Sequence, residues 1–320
     1  MAWSKTKTSI ITGVLAGGLV LTVIGLAVTF AVRKTTRHFV QAQKTWRLAV
    51  LPAHFTNSLG MVFTRVVNTE ACFCLWKTRV QDFAAYAKAT QLGTNGWRVY
   101  SWTTNGWETT GDSWANPGFP QSPACPVCGV SWDDAVAFCD WLTRKEHDAG
   151  DLAPQLFYRL PTDDEWSAAV TKLKFPWGSQ WPPLDNTANL AGIENTNDLM
   201  AFKGSLIKNY RDGFARTSPV GTYPENPRGL FDMAGNLEEW CADWYRKEMN
   251  TPERRQKHPI LNQDGGGQVY RVLRGSAWSD RDPGRIASNA RFFFSPQVRM
   301  DTAGFRVVLA LATNVPAVKN

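Results

Sequence analysis

A chain of 320 residues, 43% hydrophobic and 20% charged, is long enough to bury a full core and is neither disordered nor low in complexity. Its net charge of +7 is confined to one end. Seven of the 35 basic residues (Lys5, Lys7, Arg33, Lys34, Arg37, Lys44 and Arg47) precede residue 51, where no Asp or Glu occurs, and the other 28 face 28 acidic ones. Positive charge beside an apolar run, rather than on a folded surface, excludes a nucleic-acid partner and fits a membrane lipid contact.

That run is residues 9–32, 24 residues with no charge and no proline between Lys7 and Arg33. At about 1.5 Å per residue such a helix is long enough for a hydrocarbon layer of roughly 30 Å. A signal peptide would have a shorter apolar core and a small-residue cleavage site, and no convincing site of that kind stands before the basic cluster. Gly13, Gly17 and Gly18 permit close helix approach in lipid. Five basic residues follow the span and two precede it, which by the positive-inside rule places the large domain in the cytoplasm. The calcium argument below favours the other side.

Residues 33–57 read as a basic connector between the 1–8 tail with its 9–32 span and a domain over 58–311, with a short tail at 312–320. Gly60–Val66 alternates as a strand, Phe73–Trp76 reads as a second, and Val80–Thr90 as a helix. Asn95-Gly96 and Asn105-Gly106 mark two hairpin tips. Asp133–Lys145 puts Ala135, Phe138, Cys139 and Leu142 on one helical face, capped by Ser131 or Asp133. Thr162 with Glu165 forms a capping-box pattern for a helix through about Lys172. Beyond Phe175 the chain is rich in Pro, Gly, Asn and Trp. The fifteen tryptophans imply an ordered but irregular fold whose gaps are filled by large rings.

Five blocks in order carry a resemblance: Val130-Ser131-Trp132-Asp133-Asp134-Ala135; Arg159-Leu160-Pro161-Thr162-Asp163-Asp164-Glu165-Trp166; Gly229-Leu230-Phe231-Asp232-Met233-Ala234-Gly235-Asn236-Leu237-Glu238-Glu239-Trp240; Arg274-Gly275-Ser276-Ala277-Trp278-Ser279-Asp280; and Gly304-Phe305-Arg306. Together they resemble the formylglycine-generating enzyme, or sulfatase-modifying factor, family. The resemblance implies an α+β, C-type-lectin-like fold with much irregular structure, here preceded by one transmembrane helix. Arg306 is expected to be a buried arginine pairing a carboxylate, and Arg159, Glu165 and Trp166 to serve internal packing.

The resemblance also implies calcium, a hard cation that takes six to eight oxygens. One ion would be held by Asn189, Leu190, Asp212 and Phe214. A second would be held by Asp232 and Glu239 through side chains and by Gly235 and Leu237 through carbonyls. Weak sites of this kind fill outside the cytoplasm. The expectation is therefore a single-pass protein of a bacterial inner membrane with its large domain extracytoplasmic.

The catalytic signature departs from the family. Active members carry a Ser about where Ala277 stands, a Cys at the position of Asp280 and a second Cys a few residues later. This chain has no cysteine after Cys241. Two thiolates suit Cu(I), whereas Asp280 is a hard oxygen donor and Arg285 repels a cation. No copper is expected. Nor is iron, since His38, His54, His147 and His258 show no ligand spacing. Cys125-Pro126-Val127-Cys128 lacks the second pair a zinc site needs, and a short-range disulfide is open to it. A long-range disulfide from Cys139, which the resemblance implies, has no C-terminal partner.

Glu238, Ala277, Trp278, Asp280, Arg281 and Arg285 are expected to line the former substrate groove, with Asp282 and Phe292–Phe294 nearby. The function that follows is a catalytically inactive, membrane-anchored binding or structural subunit among other membrane-complex subunits. A thiol- or cysteine-modifying enzyme and a lectin-like receptor for a peptide or glycan remain the alternatives.

Overall fold

The structure, a computed structural model, describes residues 51–103, 106–196, 206–245 and 270–312. The apolar run 9–32 and its basic flanks lie outside the described residues. Among the described residues, no helix is long and apolar enough to cross a membrane.

Two curled sheets organise the domain. The first sheet is built from β1 (His54–Thr56), β2 (Val62–Arg65), β3 (Ala71–Cys74), β6 (Leu156–Arg159) and β11 (Val308–Leu311), in the order β1-β2-β3-β11-β6. Strand β11 thus lies inside the sheet between β3 and β6, pairing Leu309 with both Cys72 and Tyr158. Strand β3 is buried at all four positions, as a central strand covered on both faces requires.

The second sheet has the order β10-β7-β8-β9, from β7 (Glu238–Trp244), β8 (Arg271–Arg274), β9 (Arg291–Phe294) and β10 (Ala303–Phe305). Strand β10 lies parallel to β7, and β8 is antiparallel to both β7 and β9. A separate hairpin joins β4 (Val99–Thr103) to β5 (Gly106–Gly111). Thr103 pairs with Gly106 across that hairpin, whereas the first Asn-Gly pair, Asn95-Gly96, makes a turn ahead of β4, beside the buried Trp97.

Helix α1 (Val80–Thr90) and helix α2 (Trp132–Ala149) pack together through Phe83 and Phe138, whose rings stack at 6.0 Å, with Phe305 edge-on to Phe138 at 5.4 Å. The Ser131 hydroxyl accepts from Asp134 N–H and the Asp134 carboxylate accepts from Ser131 N–H, so α2 starts at a reciprocal cap. Helix α3 (Asp163–Val170) begins the same way at Thr162 and Glu165. Between α3 and β7 regular structure is reduced to one 3-10 turn, Ile193–Thr196, among the described residues. This irregular stretch is nonetheless packed: Phe175, Leu190, Tyr210 and Ala234 are buried together.

Candidate functional site

Strand alternation decides which of two adjacent carboxylates meets solvent. Successive side chains of a strand point to opposite faces, so β7 sends Glu238 to one side and Glu239 to the other. Glu238 lines a cavity of about 690 Å³, while Glu239 is wholly buried in the core.

On the floor of that cavity three charged groups form a row. Arg285 donates from Nε to Asp280 Oδ1 at 2.6 Å and from Nη2 to Glu238 Oε1 at 3.2 Å. The second Asp280 oxygen accepts the Ala277 N–H at 2.9 Å, which pins the loop after β8. Arg285 projects from a single-turn helix, α4 (Pro283–Ile286), capped by Asp282, and its guanidinium lies 4.2 Å over the Phe292 ring. Burial, and then the Asp280 charge, push the Glu238 carboxyl up to about 8 against the pull of Arg285. One guanidinium thus serves two carboxylates.

The wall of the cavity is aromatic. Phe292, Phe293 and Phe294 of β9 line it with Trp107 from the hairpin, and Trp107 meets Phe294 edge-on at 5.4 Å. Phe293 stacks on Tyr245 at 4.2 Å and lies 5.2 Å from Tyr270. Trp107, Tyr270 and Phe293 each keep more than two fifths of their surface exposed. Such a patch is a mark of an interaction site.

Of the expected groove residues, Glu238, Ala277, Asp280, Arg281 and Arg285 come together here. Trp278 does not. It is fully buried, packs on Leu237 and Cys128, and donates from its indole to the Asp301 carbonyl at 3.3 Å, with Arg216 stacked 4.2 Å from its ring. The loop exposes Ala277 and Ser279 to the cavity and turns the intervening indole inward. Trp107 was not legible as a site residue, because the hairpin that carries it is distant in sequence from the catalytic signature.

The two expected calcium sets differ sharply. In the first, the Asn189 carboxamide oxygen is buried with no hydrogen-bond partner, while its nitrogen donates to the Arg216 carbonyl at 2.8 Å. Asp212 accepts the Leu190 and Phe214 N–H groups, and burial lifts its carboxyl to about 7. An orphaned amide oxygen beside a buried carboxylate suits a hard cation, which would be held by Asn189, Leu190, Asp212 and Phe214.

In the second set Glu239 is already satisfied by cations of the protein. Its oxygens accept from Lys77 Nζ at 2.7 Å, from Arg306 Nη2 at 2.9 Å and from the Trp166 indole at 3.0 Å. Burial opposes ionisation, but Arg306 and Lys77 outweigh it and hold the carboxyl down at about 2. Lys77 also donates to the Asp232 carbonyl, and the Asp232 carboxylate accepts from Gly221 N–H at 3.0 Å. Of the expected second calcium set, Asp232, Gly235, Leu237 and Glu239, the Glu239 carboxylate thus already has donors on both of its oxygens. Gly235 has a structural task there, with φ +80° and a Cβ position only 2.2 Å from the Asn189 carbonyl oxygen.

The donor set of the cavity does not fit copper either. It offers carboxylates and a guanidinium, and all six cysteines are buried free thiols that do not line it. Cys128 interacts with Gln121 and burial drives its thiol well above the usual range, so it is no thiolate donor. Cys139 is a free thiol within α2. Among the described residues, no group of three or more His, Cys, Asp or Glu is placed to hold a metal ion.

Residues 59–311 match the sulfatase-modifying factor enzyme 1-like domain. The mouse (Mus musculus) inactive C-alpha-formylglycine-generating enzyme 2 is 32% identical over 209 residues, covering 60% of this chain and 53% of that protein. The mouse formylglycine-generating enzyme is 30% identical over 57% of this chain and 48% of its own length. A serine/threonine-protein kinase, pkn1 of Chlamydia caviae, is 32% identical over 59% of this chain but only 24% of its own. The chain thus spans from about a quarter to about half of these relatives. In fold it is similar to PvdO from Pseudomonas aeruginosa, with a TM-score of 0.54 at 22% identity, covering 80% of this chain and 83% of that one. With its two curled sheets and matching blocks, the chain belongs to the formylglycine-generating enzyme-like, sulfatase-modifying factor family.

Proposed function

We propose that the chain is a catalytically inactive member of this family, anchored in a membrane by residues 9–32, whose cavity binds a peptide segment of another membrane-complex subunit. The observation that carries this reading is the Asp280–Arg285–Glu238 row, which stands where the family's soft-metal thiolates are expected. Hard oxygens held by a guanidinium neither bind Cu(I) nor offer a thiol for exchange. An inactive relative shows that the family contains such members. The aromatic wall supplies the apolar anchors that dominate peptide recognition, and the charged floor supplies hydrogen-bond direction.

The location and the ion belong to the same proposal. The single span and the basic flank attach the domain to an inner membrane of bacterial type, with the domain outside the cytoplasm. There, millimolar calcium would fill the Asn189–Asp212 set and tie the irregular segments together through Leu190 and Phe214.

A photo-reactive phenylalanine analogue at position 107, irradiated in native membranes, tests the binding role. The expected result is an adduct with one discrete polypeptide, absent when the analogue stands at exposed Leu184, which does not line the cavity. Binding of a glycan array that depends on Trp107, with no polypeptide adduct, would replace the peptide reading by a lectin-like one.

A further inference from the structure

The Asp232–Glu239 block poses a separate question: what neutralises a carboxylate buried at the junction of the two sheets? Glu239 follows directly on Glu238 in β7 and faces the core, and its neighbour across the strand pair is Arg274 of β8. Arg274 is not its partner, because that guanidinium is engaged by Asp163. Lys77, from the link between β3 and α1, fills the gap. Its side chain is entirely buried, an arrangement lysine adopts almost only when paired.

We infer that the Lys77 ammonium is a built-in cation that takes the place of a metal ion at this block, so that the domain holds no calcium there. The ammonium bridges the Glu239 carboxylate and the Asp232 carbonyl, two oxygens that would otherwise offer themselves to a hard ion. Arg306 closes the other side of Glu239 and donates to the Cys74, Leu75 and Phe231 carbonyls. A calcium ion would add two positive charges beside two resident cations within a few ångströms, where like charges repel strongly in a buried setting. It would also have to displace donors from every Glu239 oxygen to reach its usual six to eight ligands. A lysine tether supplies the same cross-link between the β3–α1 link and β7 permanently, at any calcium concentration. The inference stands apart from the calcium reading at Asn189 and Asp212.

The test uses the full chain in detergent, stripped of metal with EDTA. Calcium is titrated by calorimetry and counted by native mass spectrometry for the wild type and for Asp212→Asn, which disables the other set. The expected result is that D212N binds no ion. Lys77→Met in that background should gain one ion and a calcium-dependent rise in Tm. Reductive methylation of the native protein with labelled formaldehyde should leave Lys77 unmodified in 5 mM calcium. An ion retained by D212N and lost in Glu239→Gln would overturn the inference. So would labelling of Lys77 in the native state, since an ammonium displaced by calcium becomes accessible. If K77M does not fold, the D212N count and the labelling decide the matter. A wild type that binds no ion at all would count against the Asp212 set and in favour of the tether.

Discussion

Replacing Arg306 by Met should remove a large part of the stability of this domain, and the structure says roughly how much. Arg306 is fully buried and pairs with Glu239 through Nη2 at 2.9 Å and Nε at 3.2 Å, while its remaining N–H groups serve the Cys74, Leu75 and Phe231 carbonyls. Removing one partner of a buried pair costs about 3–5 kcal/mol. Leu75 keeps a second donor, the Phe231 N–H at 2.9 Å. A stranded buried carbonyl, such as that of Phe231, adds about 1–3 kcal/mol. Lys77 still neutralises Glu239, so the lower part of the combined range applies, about 4 kcal/mol against a typical total of about 5–15 kcal/mol. With a urea slope of about 3 kcal/mol/M, the midpoint followed by tryptophan fluorescence moves down by more than about 1 M. Arg306→Lys, which keeps a charge but loses the fork, should fall between. A midpoint shift in R306M of less than about 0.3 M would refute the view that this pair holds the two sheets together.

Other predictions concern single groups. Glu238 has its carboxyl raised to about 8 from the usual 4.5, so the folded state binds this proton more tightly and stability falls as pH rises through that window. Glu238→Gln should flatten the fall in a pH series of urea midpoints, and an unchanged slope would exclude Glu238 as its source. The acid limb should survive in that variant, because Glu239 is held at about 2 and its contribution is lost only as pH drops from 4.5 towards 2. Gly235→Ala places a methyl 2.2 Å from the Asn189 carbonyl oxygen at φ +80°, so thermal melting should show a loss of several degrees or failure to fold; a wild-type Tm would mean the loop is free to shift. For topology, protease added to spheroplasts should digest the head. Digestion only after lysis would place it in the cytoplasm, as the flanking charges alone suggest.

Much of this architecture could be read from particular residues. Ser131 and Thr162 announce the starts of α2 and α3 because a hydroxyl three residues before a carboxylate satisfies two orphan N–H groups locally. Arg306 reads as a buried pairing arginine, and it is one. What escaped is set by strand parity and by distant contacts. Nothing in Leu237-Glu238-Glu239-Trp240 states which carboxylate faces the cavity until the register of β7 against β8 and β10 is known. Lys77 lies in Trp76-Lys77-Thr78-Arg79, a short polar link with the look of a solvated surface, and its burial depends on a strand 162 positions away. Trp278 carries the family signature but packs inward, while Trp107, from a hairpin far from that signature, completes the wall.

The proposed function rests on carboxylates and a guanidinium standing where the family's copper-binding thiolates are expected. Titration of the purified full chain with Cu(I) against a chromophoric chelator measures this directly, in the wild type and in Asp280→Asn. The account predicts no tight copper in either protein, and no aldehyde formed on a cysteine-containing peptide. A copper ion held by the wild type and lost in D280N, with turnover of the peptide, would contradict it.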